Sequence, residues 1–226
     1  METNSIILLE NAVIQHQNEP LLSNVNLKIN KGEFVYLIGK SGTGKTSLFR
    51  TLYADMPLAG GRGEVCGVDI TNIKASKVPM LRRKMGIVFQ NFRLLTDRDV
   101  YSNLYFVLRA IGWKNKREID DRIIDVLNAV GLADKALYPV YRLSEGEQQR
   151  VGIARAIANN PELILADEPT GNLDPITSEE IMSLLIDINQ KMKTTIMIST
   201  HDYIMIERFS SRVLCCENGK LIEPMQ

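Results

Sequence analysis

The stretch that decides the fold spans residues 39–46 and reads Gly39-Lys40-Ser41-Gly42-Thr43-Gly44-Lys45-Thr46. It fits the pattern G-x-x-x-x-G-K-[ST], which is typical of a loop that binds phosphate groups. The apolar run at residues 34–38 predicts a strand buried on both faces, and a helix is predicted at 46–54. Strand, glycine-rich loop and helix in this order are the context that the pattern requires, so the sequence predicts a nucleotide site.

All eight residues of this loop are candidate nucleotide-binding residues, because glycines let backbone N–H groups turn inward around phosphate oxygens. The positive end of the helix dipole lies at the same place. We expect Lys45 to reach the β- and γ-phosphates of ATP, and the Thr46 hydroxyl to ligate Mg²⁺. The alternative, an ordinary glycine-rich turn, does not account for the matching strand and helix on either side.

Two acidic residues follow an apolar run at 163–166, which predicts a strand that ends in Asp167 and Glu168. If this strand ends beside the phosphate loop, Asp167 lies near the Mg²⁺, usually through water. Glu168 then points towards an attacking water, whose proton a carboxylate can accept. Asp-Glu-Pro is also typical of a solvated turn, but the phosphate loop upstream favours the catalytic interpretation.

Composition limits the remaining possibilities. The 226 residues suffice for one α/β domain, alone or with a small inserted lobe. Lys plus Arg equals Asp plus Glu at 27 each, which gives no support for a general nucleic-acid binder. The three cysteines form neither a disulfide framework nor a zinc spacing. No signal peptide is expected and no apolar run approaches the ~18 residues of a membrane span, so membrane contact is expected only through a partner.

The rest of the chain predicts a mainly parallel sheet with flanking helices, since helical patterns alternate with apolar strands. Residues 5–14 and 21–29 predict an antiparallel β region around a polar turn. Residues 91–142 predict a helical lobe inserted into a core at about 1–90 and 143–226. Further strands are expected at 86–89, 163–166, 195–199, 213–217 and 220–222, and further helices at 102–111, 119–130 and 177–191. Asn218-Gly219 predicts a tight hairpin near the end.

Four further segments carry a family resemblance: Gln90 after strand 86–89, Leu143-Ser144-Glu145-Gly146-Glu147-Gln148-Gln149-Arg150, Gly171-Asn172-Leu173-Asp174, and Ser199-Thr200-His201-Asp202. In this order and spacing they resemble the Q-loop, signature motif, D-loop and switch histidine of ABC ATPase domains. The resemblance covers essentially the whole chain, and the signature motif is its specific element, because other P-loop NTPases lack it. It implies a single ABC-type nucleotide-binding domain over residues 1–226, with a P-loop NTPase core.

The resemblance also implies a mechanism. Two copies would pack head to tail, with ATP between the phosphate loop of one copy and Ser144 and Gly146 of the other. Gln90 would approach Mg²⁺ and the attacking water, His201 the γ-phosphate, and Asp174 the opposing subunit. Because the γ-phosphate bridges two surfaces, its loss on hydrolysis would weaken the dimer and drive an opening motion.

Two positions depart from the family pattern. Glu145 replaces the usual first glycine of the signature, and an acid near a γ-phosphate is unfavourable unless it points away. Slow or partner-dependent hydrolysis is therefore expected. His16 is the nearest candidate for the aromatic residue that stacks on adenine in the family, and it stacks less strongly. Ser144 and Glu147 also form a capping box, which would start a helix in any protein, and His201 could be a structural histidine.

Residues 89–95, 97–98 and 100–103 resemble the FtsE branch of the family, cell-division ATPases that pair with the membrane protein FtsX. The resemblance implies a cytoplasmic homodimer, peripheral on the inner face of the bacterial membrane, which drives FtsX to switch on peptidoglycan hydrolases. Residues 166–174 are shared with LolD- and MacB-like ATPases for lipoprotein release or efflux, which stay an alternative. A nucleotide-binding regulator with little turnover is a second rival. A soluble ABC protein of DNA repair or translation is a third, although such proteins usually have long coiled-coil insertions or two cassettes.

Overall fold

The structure is a computed structural model that describes residues 4–224. Its strands are β1 (Ser5–His16), β2 (Glu19–Asn30), β3 (Phe34–Ile38), β4 (Gly60–Val65), β5 (Val68–Asp69), β6 (Met85–Val88), β7 (Leu163–Asp167), β8 (Thr195–Ser199), β9 (Arg212–Glu217) and β10 (Lys220–Ile222). Its α-helices are α1 (Lys45–Leu52), α2 (Val78–Arg83), α3 (Val100–Ala110), α4 (Lys116–Ala129), α5 (Glu145–Ile157), α6 (Pro175–Met192) and α7 (Tyr203–Arg208). Short 3₁₀ turns occupy Ala75–Lys77, Ala133–Lys135 and Val140–Arg142. No helix among residues 4–224 has the length and apolarity to span a bilayer.

The central sheet has six strands in the order β10-β9-β3-β8-β7-β6, and all neighbouring pairs are parallel except the β9–β10 hairpin. The predicted α/β class with a mainly parallel sheet is therefore confirmed. Asn218 and Gly219 close the hairpin with φ values of 50° and 72°, which a tight two-residue turn requires. In a parallel sheet the carboxyl ends of β3, β7 and β8 meet at one edge, and the functional residues follow these ends.

A second, antiparallel sheet has the order β2-β1-β4-β5. It meets the central sheet where the Ser23 N–H donates to the Gly219 carbonyl at 2.9 Å. The sequence did not predict β4 and β5, because β4 contains three glycines and little apolar pattern. One of these, Gly63, is needed for packing, since an added Cβ would lie 2.9 Å from Ile70 and 3.0 Å from Leu9.

The core lies on both faces of the central sheet, because successive side chains of a strand point to opposite faces. In β8, Ile196 and Ile198 pack with the helices α3 to α6, whereas Met197 packs with α1 and the second sheet. Helix α5 lies directly against β6: a Cβ on Gly86 would be only 2.4 Å from the Ala156 carbonyl oxygen. The proposed division into a core and a lobe at 91–142 stays a prediction, with α3 and α4 packed on α5.

Two helix starts differ from the predicted ones because capping side chains, rather than periodicity, set them, and one helix end differs because the backbone turns. Helix α3 begins two residues earlier than predicted, since the Asp99 carboxylate accepts from the Ser102 N–H at 2.7 Å. Helix α6 begins at Pro175, because Asp174 accepts from the Ile176 and Thr177 N–H groups. Helix α1 ends at Leu52, two residues before the predicted end. Ala54 has a φ of 55°, a left-handed conformation that cannot be part of an α-helix.

Candidate active site

The loop at residues 39–44 leads from β3 into α1 and depends on glycine at two points. Gly39 has a φ of 145°, and an added Cβ would lie 2.6 Å from the Cys216 carbonyl oxygen. Gly44 has a φ of 103° and stands directly before α1, whose first turn has no side-chain cap. The first N–H groups of a helix that no side chain caps form a ready site for an anion.

Lys45 is only 9% exposed, and its side chain folds back over this loop. Its Nζ donates to the Gly39 carbonyl at 2.6 Å and to the Lys40 carbonyl at 3.2 Å. An ammonium held in this way has exchangeable acceptors, so phosphate oxygens can replace the carbonyls. Thr43 turns away from the cleft, and its hydroxyl donates to the Lys40 carbonyl at 2.8 Å.

Asp167 at the end of β7 accepts two hydroxyl hydrogen bonds. Thr46 donates to Oδ2 at 2.9 Å and Ser199, its register partner on β8, donates to Oδ1 at 2.5 Å. A hydroxyl and a carboxylate are oxygen ligands that suit Mg²⁺, which usually takes few protein ligands and completes its shell with water and phosphate oxygens. Within residues 4–224 no group of three or more His, Cys, Asp and Glu side chains is placed to hold a metal ion.

Glu168 has a φ of 47°, a left-handed conformation that costs a non-glycine residue about 1–3 kcal/mol. Its N–H donates to the Ser199 carbonyl at 3.0 Å, which fixes the backbone. The side chain is 15% exposed, and its Oε2 lies 2.8 Å from Nδ1 of His201, which is 71% exposed. This arrangement presents a partly desolvated carboxylate, oriented by an imidazole, at the edge of the cleft.

A cleft of about 690 Å³ brings most of the predicted residues together. Its volume lies within the ~300–1,000 Å³ range of ligand sites. Predicted residues lining it are His16, Gly39, Lys40, Ser41, Gly42, Gly44, Lys45, Thr46, Gln90, Asp167, Glu168 and His201. The sequence did not single out Leu21, Ser47 and Arg50, which also line the cleft. It also missed the role of Ser199, whose hydroxyl donates to Asp167 and accepts from the Glu168 N–H. Ser47 and Arg50 could have been found from their positions in the helix after the loop.

Four predicted residues do not line this cleft: Thr43, which belongs to the loop itself, and Ser144, Gly146 and Asp174, which gather at a different place. Ser144 caps α5 in the predicted capping box, and Asp174 caps α6. The two helix starts touch, since a Cβ on Gly146 would lie 2.5 Å from Cγ2 of Thr177. The Thr177 hydroxyl donates to Asp174 at 2.5 Å and holds the pKa of that carboxyl below its usual value. Glu145 at the start of α5 is exposed.

Replacing Ser199 by Ala is expected to lower both stability and turnover. The change removes the donor to Asp167 and leaves a partly buried carboxylate oxygen without it, at a cost of about 1–3 kcal/mol. We expect a thermal midpoint several degrees lower and a reduced ATPase rate at limiting Mg²⁺. Ser183→Ala, at an exposed position of α6, is the control. Equal behaviour of the two variants would show that the Ser199 hydroxyl does not support the acids.

The chain is similar to several known proteins. The model of the ABC transporter family matches residues 22–171. The cell division ATP-binding protein FtsE of Streptococcus pneumoniae is 42% identical over 219 residues, covering 96% of this chain and 94% of the relative. The methionine import ATP-binding protein MetN of Carboxydothermus hydrogenoformans is also 42% identical, over 221 residues, covering 96% of this chain and 65% of the relative.

A solved structure is similar across the whole fold. It is a dimeric ATP-binding cassette in a post-hydrolysis state, bound to ADP and phosphate, with 32% sequence identity and a TM-score of 0.84. The match covers 97% of this chain and 99% of that one. With the family match spanning the phosphate loop, the signature and both acids, the chain is a member of the ABC transporter family and acts as an ATPase.

Proposed function

We propose that the chain works as an ATP-dependent homodimer and drives an FtsX-like membrane protein from the inner face of the bacterial membrane. Its cycle would switch on cell-wall hydrolysis during division. The 42% sequence identity with FtsE, which extends over 96% of this chain, supports the choice of partner. The observation that carries the dimer is the separation of the site into two parts, because Ser144 and Gly146 do not line the cleft that holds the phosphate loop.

A second copy supplies the missing part. The start of α5 and the start of α6 form one surface, on which backbone N–H groups of α5 would face the γ-phosphate held by the partner. Asp174 on the same surface would contact the opposing subunit. Glu145 is exposed, which leaves it room to turn away from the phosphate. Loss of the γ-phosphate would then weaken the contact and let the two copies part.

Within each cleft the residues have distinct tasks. Lys45 and the loop N–H groups would hold the β- and γ-phosphates, and Thr46 and Asp167 would hold Mg²⁺. The ion, when bound, neutralises charge that develops on the phosphates. Glu168 would take the proton of the attacking water, oriented by His201, which would also contact the γ-phosphate. Gln90 would approach the ion and the water, and His16, which also lines the cleft, would stack weakly on the base.

The identity of the membrane partner tests this function. We expect a tagged chain, extracted with mild detergent from membranes of its own cells, to bring down an FtsX-like protein. Addition of ATP should increase the yield if the dimer is the form that docks, and Lys45→Ala, which weakens nucleotide binding, should abolish that increase. Recovery of a methionine-import permease, or of a lipoprotein-release permease, would contradict the FtsX assignment; the equal identity to MetN makes this comparison necessary.

A further inference from the structure

Arg155 extends from the last turn of α5 to the loop that follows β6. Its Nη2 donates to the Phe92 carbonyl at 2.7 Å and its Nη1 to the Arg93 carbonyl at 2.6 Å. Burial lowers the pKa of Arg155 to about 10, so the guanidinium stays charged at neutral pH. Hydrogen bonds from a charged donor are stronger than neutral ones, and a guanidinium suits two neighbouring acceptors.

The two carbonyls belong to residues in an unfavourable conformation. Phe92 and Arg93 have φ values of 49° and 50°, which non-glycine residues rarely adopt. Such residues persist only where surrounding contacts hold them. The Phe89 ring adds a contact, since the Arg93 guanidinium lies 4.4 Å and that of Arg155 5.8 Å from its centroid. Arg155 therefore holds both the backbone and the ring of this loop.

Gln90 lies in the same loop, between Phe89 and the two strained residues. Its own carbonyl accepts a weak hydrogen bond from Asn172 Nδ2 at 3.3 Å. Its side-chain Nε2 lies close to Gly171, where an added Cβ would be 3.3 Å away. Gly86 allows α5 to pack directly against β6, the strand that leads into Gln90. The backbone of Arg155 on α5 therefore has a fixed position relative to β6. The path of the chain on both sides of Gln90 is thus set by contacts outside the loop.

We propose that Arg155 is a positioning residue, which directs Gln90 into the cleft by holding the carbonyl groups of Phe92 and Arg93. This inference rests on the function proposed above. Without Arg155 the two residues relax to ordinary φ values and Gln90 no longer faces the cleft. ATP affinity is retained, because the phosphate loop does not touch Arg155, while turnover falls. A displacement of about 1 Å at a reacting centre can cost roughly 100-fold in rate, so a fall in kcat of roughly 10- to 100-fold is expected.

Arg155→Gln and Arg155→Lys test this role, and Arg122→Gln is a matched control. Arg122 makes the same kind of contact, since it donates from Nε to the Ala158 carbonyl at 2.8 Å and from Nη2 to the Ile157 carbonyl at 2.7 Å. It does so at the end of α5, outside the loop of Gln90. Both glutamine variants are thus expected to lose similar stability. Lysine at 155 keeps the charge but not the paired geometry, so it should restore part of the activity.

Two measurements separate positioning from stability. Hydrogen exchange is followed in the peptide at 89–95, without nucleotide, and kcat and the KM for MgATP are measured on the same proteins. We expect faster exchange confined to this peptide and a lower kcat at unchanged KM in Arg155→Gln, with neither in Arg122→Gln. Unchanged exchange at 89–95, or equal kcat losses in both variants, would overturn the role of Arg155. A wild-type chain that neither dimerises nor docks would instead refute the proposed function, and the exchange result would still decide whether Arg155 holds the loop.

Discussion

Glu168→Gln is expected to lower kcat by about 100- to 10,000-fold, the range typical of losing a general base. The amide keeps the size of the side chain but cannot accept the proton of the attacking water. ATP binding is expected to persist, because Lys45 and the loop N–H groups are unchanged. The variant should therefore accumulate as an ATP-bound dimer. Light scattering should give twice the monomer mass in the presence of MgATP and the monomer mass after the nucleotide has been removed.

Glu162→Gln is the matched control, because Glu162 precedes the opposite end of the same strand. There it forms ion pairs with Lys84 at 3.4 Å and Lys31 at 3.7 Å. Surface pairs of this kind contribute about 0–1 kcal/mol, so its ATPase rate should match the wild type. Turnover that survives in Glu168→Gln would assign the base to another group and refute the role of the Glu168–His201 pair.

Mixing two inactive chains is expected to restore activity. Lys45→Ala removes a charged donor to the phosphates, worth about 1.5–3 kcal/mol, and so weakens ATP binding roughly 10- to 100-fold. Gly146→Asp places a negative charge and a side chain on the surface that would face the γ-phosphate of the other copy. In a mixed dimer one site carries both defects, whereas the other combines an intact phosphate loop with an intact signature.

Each variant alone should show little turnover, and the mixture should regain about a quarter of the wild-type rate, since half of the dimers are mixed and each has one intact site. Both variants must first give a cooperative thermal transition, because Gly146 packs against Thr177. The pair Lys45→Ala and Asp167→Asn is the control, since both defects lie in the same half of the site and no intact site forms. Failure of the first mixture to exceed this control would contradict the shared site.

Much of the site could be predicted because its residues stand at the ends of regular elements. Asp167 and His201 follow short apolar strands, and parallel strands end at one edge of a sheet. The role of Ser199 was missed because its hydroxyl donates to Asp167 on the neighbouring strand, and no local sequence pattern marks a contact between strands. Arg155 is similar, because its acceptors lie 62 and 63 positions earlier in the chain.

Further features could not be predicted because packing, not propensity, decides them. Strand β4 is rich in glycine and forms because its neighbour β1 offers a ladder of hydrogen bonds and needs small residues opposite. Glu168, Phe92 and Arg93 adopt left-handed backbones that their side chains disfavour.

The place of β3 in the middle of the sheet has a consequence for synthesis on the ribosome. The strand that feeds the phosphate loop pairs with β8 and β9, and the Ser211 hydroxyl reaches the Phe34 carbonyl across 177 positions. Gly39 itself packs on Cys216. A nascent chain that has emerged only as far as α6 thus has the complete phosphate-loop sequence but lacks β8 and β9, the two strands that pair with β3. We therefore expect the phosphate loop to take its binding conformation only after β8 and β9 have emerged from the ribosome and paired with β3.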